Sequence, residues 1–234
     1  MDADIAAVAA VIADPTRAAM LDALLANEAL TASELARATG VAPSTASEHL
    51  RRLTDAGLVY ATPAGRHRYH RLTGPDVAAA IEALALIAPQ RAKRPATLRR
   101  VRADAALTYA RTCYDHLAGV VGVTLLDGLV SHDRLQWDHG TLRPGPDGTA
   151  WLDDLGIKVG RLRSRRPLVR PCIDWTSRRP HLAGAVGAAI ADHALSRRWV
   201  VRRTHGHRAL RVTDEGRDAF RTLLGCDLPP PPES

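Results

Sequence analysis

The sequence predicts a mainly α fold with small β-wings (α+β), and three observations predict it. In residues 31–59 two short amphipathic segments meet at a glycine and then give way to a strand-like run. A basic turn at residues 63–66 then separates that run from a second one. In the second half, His116-Leu-Ala-Gly119-Val-Val-Gly122 returns 65 residues later as His181-Leu-Ala-Gly184-Ala-Val-Gly187, an internal repeat.

Taken in order, residues 5–13 and 15–25 read as apolar helices, with Asp14 and Pro15 at the N-cap and first turn of the second. Thr31 and Glu34 form a capping box ahead of an apolar run. Leu35 and Ala38 supply the inner face of that helix, Gly40 ends it, and Val41 plugs the core from the turn. Pro43 and Ser44 open the next helix, with Ser44 expected as N-cap and Ala46, Leu50 and Leu53 on one face. After Gly57 the period changes: residues 58–61 and 67–72 read as two strands around the basic turn.

The pattern predicts a winged helix-turn-helix over residues 1–74, the arrangement that sets a second helix in the major groove of double-stranded DNA. Its candidate DNA contacts are Pro43, Ser44, Thr45, Ser47, Glu48, His49, Arg51 and Arg52 on the helix. Arg66, His67 and Arg68 join them from the wing. Short hydroxyls near a helix start and long cations further on suit phosphates and base edges. The alternative is an ordinary helical hairpin with a solvated basic face.

Asp14-Pro15-Thr16-Arg17 with Met20-Leu21, Ser33-Glu34-Leu35-Ala36, Ser44-Thr45-Ala46-Ser47-Glu48-His49-Leu50 and Leu53-Thr54-Asp55-Ala56-Gly57-Leu58-Val59 together resemble the ArsR/SmtB family of bacterial winged-helix repressors. The resemblance covers roughly residues 5 to 90. It implies a homodimer that sits on a palindromic operator and leaves when an effector binds. Known members often sense metals, but the two sites most associated with the family look absent. Residues 33–38 hold no cysteine or histidine, and residues 75–88 offer only Asp76 and Glu82.

Composition supports a polyanionic partner. The formal net charge is +7 over 234 residues, which hold one large or two small domains. Cys113, Cys172 and Cys226 are odd in number and far apart, which suits a reducing compartment. No leader or membrane-spanning run is read, so the expected location is cytoplasmic, with no membrane partner. Residues 75–102 are expected to be an apolar helix followed by a basic linker. Val77, Ile81, Leu84 and Ala88 line one face of that helix, which closes a dimer interface or packs on its own C-terminal half. The proline-rich residues 227–234 are expected to be a disordered tail.

Residues 103–226 are expected to form a duplicated winged-helix-like C-terminal domain, the effector or sensor domain, with repeats at about 113–156 and 178–225. Each copy runs from a helix through strand-like segments, residues 129–142 and 199–212, to a closing helix. The paired glycines are read as small-residue faces where the two repeat helices cross. Cys113 and His116, at i and i+3, would share a helical face, and Cys172 and His181 precede and begin the second copy. A crossing near the helix starts would then assemble a Cys2His2 set suited to zinc, cadmium or lead. The alternative gives both cysteines a packing role and both histidines helix-start hydrogen bonds. Tyr109, Tyr114, Trp151, Asp174, Trp175, Arg178 and Arg179 are candidates for an organic-ligand pocket.

The expected function is a sequence-specific transcriptional regulator, a homodimeric repressor released by an effector in the C-terminal domain. The alternatives are a nonspecific or architectural DNA-binding protein, and a regulator sensing thiol oxidation or an organic ligand. In the architectural reading residues 161–170 and 197–203 make a second DNA surface. No phosphate loop, nucleophile elbow or His-Glu-x-x-His pattern is present, so no enzyme and no catalytic residue is expected. Asp115-His116 and Asp192-His193, read as helical neighbours, point in different directions and make no dyad.

Overall fold

The computed structural model describes residues 3–89, 98–162, 167–204 and 206–232. The chain divides into two units, residues 1–81 and 82–234. Among the described residues no helix is long and apolar enough to cross a membrane.

In the first unit, α1 (Ile5–Ile12) and α2 (Pro15–Ala26) follow capping aspartates. Asp4 accepts the Ala7 N–H, and Asp14 accepts those of Thr16 and Arg17. After a two-residue strand β1 (Leu30–Thr31), α3 (Ala32–Thr39) opens on the expected capping box. Thr31 Oγ1 accepts the Glu34 N–H, and the Glu34 carboxylate accepts the Thr31 N–H. Gly40, in the left-handed region at φ 72°, turns the chain out of α3.

α4 (Pro43–Asp55) corrects one expectation: its N-cap is Ala42, not Ser44, and no side chain caps it. Pro43 fixes its own φ and lacks an N–H, so it fits the first helical position and moves Ser44 to the second. β2 (Val59–Ala64) and β3 (His67–Leu72) pair antiparallel from Val59↔Leu72 to Ala64↔His67, with β1 on the far side of β3. The turn is therefore only Gly65 and Arg66. Met20, Leu21 and Leu24 of α2, Leu35 of α3, and Leu50 and Leu53 of α4 fill the core beneath the hairpin. Ala78 and Ile81 of α5 (Pro75–Ile87) are buried with them. Each such leucine contributes about 1.5–3 kcal/mol by leaving water, and this anchors α4 while its opposite face stays in solvent.

The second unit contains α6 (Leu98–Tyr109), so the expected basic linker is helical from Leu98 on, while residues 90–97 lie outside the described residues. The duplication follows, and each copy begins with a hairpin rather than a helix. The first copy is β4 (Arg111–Cys113), β5 (His116–Ala118), α7 (Gly119–Ser131), β6 (Leu135–Asp138), β7 (Thr141–Pro144) and α8 (Gly148–Asp154). A 3-10 turn at Val159–Arg161 leads on. The second copy is β8 (Arg170–Ile173), β9 (Pro180–Ala183), α9 (Gly184–Ser196), β10 (Val200–Arg202), β11 (Leu210–Val212) and α10 (Asp214–Thr222). Leu129, expected in a strand, lies in α7. The shared core is built from Leu125, Leu126 and Leu129 of α7, Val186 and Ile190 of α9, and Phe220 of α10.

The glycines do not mark a crossing of α7 with α9. Instead α7 packs on β9 and α9 on β5, each helix start meeting the other copy's hairpin. A Cβ on Gly122 would lie 2.3 Å from the Leu117 carbonyl oxygen and 3.5 Å from His181 Cβ. A Cβ on Gly187 would lie 2.6 Å from the Leu182 oxygen and 3.4 Å from His116 Cβ. Only glycine lets each helix fold back on its own strand while the other copy's histidine comes in beside it.

The expected disordered tail is also corrected as far as Pro232. Leu228 is buried, Tyr109 Oη donates to the Pro229 carbonyl at 2.7 Å, and Arg217 Nη1 donates to that of Leu228 at 2.9 Å. Residues 233–234 lie outside the described residues.

Candidate nucleic-acid interface and metal centre

The first unit presents α4 and the β2–β3 turn to solvent. Pro43, Ser44, Thr45, Ser47, Glu48, Arg51 and Arg52 are exposed, as are Arg66, His67 and Arg68. Without a side-chain cap, the first-turn N–H groups of α4 remain available to an anion, and the helix dipole favours one there. Arg51 and Arg52 are not free cations in the unbound chain. Glu48 accepts from Arg51 Nη2 at 2.9 Å and from Arg52 Nε at 3.0 Å, and Arg51 Nη1 also donates to Asp55 at 2.9 Å. Those two arginines pull the Glu48 carboxyl down to about 2. His49 stands apart from the other candidates. It is half-buried, with Nδ1 3.6 Å from the Asp14 carboxylate that caps α2, so it faces inward.

The second unit holds the other candidate set. Cys113, His116, Cys172 and His181 bring one ligand atom each to within 4.8 Å of all the others. They do so from two hairpins rather than from helical faces. Cys113 is the cross-strand partner of His116 in β4–β5, and Cys172 of His181 in β8–β9. The cysteines are therefore equivalent in the duplication despite their different sequence offsets, because the second hairpin has the longer connection. The two-residue connection of the first, Tyr114-Asp115, is possible because Tyr114 sits in the left-handed region at φ 56°.

Within the cluster the two sulfurs are 3.9 Å apart and the two histidine Nε2 atoms 3.1 Å apart, with the rings stacked at 25°. Asp115, dismissed in the helical reading, lies 3.1 Å from His116 Nδ1. A proton on that Nδ1, held by Asp115, leaves the Nε2 lone pair directed into the cluster, the arrangement a metal-ligating histidine uses. His181 Nδ1 is buried with no hydrogen-bond partner among the described residues. The Cys113 thiol lies 2.9 Å from Glu82 Oε2, and Cys172 lies 3.8 Å from the same oxygen.

The charges follow from these neighbours. A hydrogen bond from Cys113, then the His116 and His181 imidazoles, hold the Cys172 thiol well below its ordinary range. Its partner Cys113 is pushed up, by that same hydrogen bond and by burial. Burial works against a charged His116, but Asp115 and Cys172 outweigh it and raise its pKa. For His181 burial wins, and its pKa is lowered. Burial raises that of Glu82. A thiolate beside two imidazoles, in a pocket closed to water, is a donor set for a soft or borderline cation.

Asp174 supports this arrangement from below. It is wholly buried and accepts from Arg111 Nη2 at 2.7 Å, from the Gly119 N–H at the start of α7 at 2.7 Å, and from Thr176 and Ser177. Burial pushes its carboxyl up, but Arg111 and these donors bring it down to about 2. Asp174 thereby ties the second hairpin to the strand and helix that flank the first.

Comparison with known proteins completes the site. The helix-turn-helix domain family matches residues 12–59. The HTH-type transcriptional regulator YdfF of Bacillus subtilis (strain 168) is 38% identical over 229 residues, 97% of this chain and 100% of that protein. This chain belongs to the HTH-type transcriptional regulators. Two solved structures are also similar. The homodimeric winged helix-turn-helix DNA-binding domain of Mb0332 from Mycobacterium bovis is 30% identical, over 40% of this chain and 85% of that one, at a TM-score of 0.35. The cadmium metal-sensor CmtR from Mycobacterium tuberculosis is 32% identical, over 41% of this chain and 100% of that one, at a TM-score of 0.33.

The ArsR/SmtB resemblance and the winged helix-turn-helix fold are thus borne out, and this regulator binds DNA. Its aromatic residues do not gather into the expected organic-ligand pocket. Trp175 lies against Arg111 at 4.8 Å, Tyr114 against Arg208 at 6.0 Å, and Trp151 Nε1 donates to the Leu223 carbonyl. Tyr109 is occupied by the Pro229 carbonyl. Sequence reasoning missed Glu82, Asp115 and Asp174 as neighbours of the cluster. The signal for Asp115 was the short Cys-x-x-His spacing, which also fits a tight hairpin.

Proposed function

We propose that this regulator is a homodimeric, sequence-specific repressor that leaves its operator when a thiophilic divalent ion binds to Cys113, His116, Cys172 and His181. Zinc, cadmium and lead are the ions that suit the donors. One observation carries the reading, the spacing of the donor atoms. A tetrahedral ion with bonds of about 2.3 Å to sulfur and 2.0–2.1 Å to nitrogen needs a sulfur–sulfur edge of about 3.8 Å and a nitrogen–nitrogen edge of about 3.3 Å. The cluster has 3.9 and 3.1 Å. Four convergent donors with these edges, one already oriented by a carboxylate, have no need of the rearrangement that ion binding usually costs.

Two surface features support the dimer and the operator. Ile5 of α1 is 73% exposed and Ile87 of α5 is 81% exposed, and α1 has no buried residue. Such apolar helices need a covering partner, and a second copy supplies one by symmetry. The exposed hydroxyls and cations of α4 supply base-edge donors, and those of the wing supply phosphate contacts.

The test compares the metal-stripped and zinc-loaded chain on a duplex obtained by selection from random DNA. Loading is expected to weaken binding to that duplex, and Cys113→Ser and Cys172→Ser are expected to abolish the effect while retaining DNA binding. An affinity that does not change on loading, or that changes equally in the serine variants, overturns the reading.

A further inference from the structure

We propose that Glu82 is the residue through which an occupied metal site acts on the DNA-binding unit, a role that rests on the metal-sensing function proposed above. α5 is one continuous helix. Ala78 and Ile81 are buried in the core that supports α4, and the next residue, Glu82, belongs to the unit that holds the cluster. Glu82 is itself only 4% exposed, an unusual place for a carboxylate on so apolar a helix. Its neighbour there is the Cys113 thiol, at 2.9 Å from Oε2.

The contact depends on a proton that coordination removes. In the empty site the Cys113 S–H donates to Glu82. When an ion binds, the sulfur lone pair goes to the ion, the S–H bond breaks and the proton leaves to solvent. The hydrogen bond then has no donor, and a buried carboxylate is left facing a metal-bound sulfur, with the Cys172 sulfur 3.8 Å away in the same direction. A buried acceptor without a donor is costly, so Glu82 must leave this position. It leaves on a helix whose preceding turn is packed in the other unit's core, and that turn is displaced with it. Glu82 is not one of the four converging donors, so its part is positioning.

Two substitutions remove the signal by opposite routes. In Glu82→Gln the amide oxygen accepts from the thiol in the empty site and the amide N–H donates to the sulfur in the loaded site, so the contact persists in both states. In Glu82→Ala it is absent in both. Metal per chain is measured by elemental analysis, and DNA affinity by fluorescence anisotropy, with and without zinc, on full-length protein whose folding is checked by thermal melting. Both variants are expected to bind one zinc per chain and to bind DNA. Their ratio of stripped to loaded DNA affinity should fall to near one, against the roughly 5- to 150-fold typical of coupled sites in the parent. A ratio unchanged from the parent in folded, zinc-loaded Glu82→Gln overturns the role of Glu82 and leaves the metal-sensing reading standing. A parent chain that takes up no zinc overturns both.

Discussion

Replacing Asp174 by alanine should destabilise the second unit more than any surface change. The substitution leaves Arg111, 2% exposed on its side chain, without the carboxylate 2.7 Å away. It also strips the acceptor from the N–H groups of Gly119, Thr176 and Ser177. Arg111 keeps one bond, from Nη1 to the Leu107 carbonyl at 3.0 Å, and its stacking on Trp175. Breaking a buried pair from one side costs about 3–5 kcal/mol, because the remaining charge is buried uncompensated. For a unit of this size each kcal/mol lowers the melting temperature by about 2–4 °C, so the expected loss is about 6–20 °C. The assay is calorimetric melting of the parent, Asp174→Ala, and the pair Arg111→Met with Asp174→Asn. The double variant removes both charges, keeps the turn's acceptor, and should recover most of the loss. A cost below about 1 kcal/mol for Asp174→Ala, or a double variant no better than the single, would refute the reasoning.

Three further outcomes are expected. Arg68→Ala should weaken binding to all DNA sequences alike and lower the slope of log affinity against log salt by about 1; a change confined to one sequence preference would contradict a phosphate role for the wing. Glu48→Gln should release Arg51 and Arg52 from their ion pairs, tightening DNA binding and steepening its salt dependence, as read by anisotropy at several salt concentrations. Unchanged affinity and slope would mean those arginines do not meet DNA. The Asp14 and Glu34 carboxyls are held below their ordinary values chiefly by the backbone N–H groups they cap. Their stabilisation of the first unit is therefore full above the unfolded-chain values of 3.8 and 4.5 and is lost as pH falls through the lower folded values. Urea midpoints should drop in acid, and drop less in Asp14→Asn with Glu34→Gln; equal drops would contradict the capping account.

The first unit was legible because its signals are local. Thr31 and Glu34 sit three apart, Gly40 stands where α3 must turn, and residues 67–72 give the returning strand. Ser44 misled because a proline ahead of it shifts the cap by two residues. In the second unit the cluster's four members were legible as residue types in a repeat, but their geometry was not. β4 and β5 are three residues each, too short to show a period of two, so Cys113-x-x-His116 reads equally as one helical turn. Glu82 was invisible as a neighbour because it is 31 residues from Cys113, and no local pattern reports a contact over that distance. The proline-rich end was misjudged for the same reason, since its partners Tyr109 and Arg217 lie in other elements.

The central claim is that two hairpins of the duplicated unit form one tetrahedral Cys2His2 centre. X-ray absorption at the zinc edge on the loaded full-length chain tests it most directly. The account predicts one zinc per chain with two sulfurs at about 2.3 Å and two nitrogens at about 2.0–2.1 Å, one sulfur being lost in Cys113→Ser. A first shell of oxygen and nitrogen only, or a shell unchanged in Cys113→Ser, would contradict it.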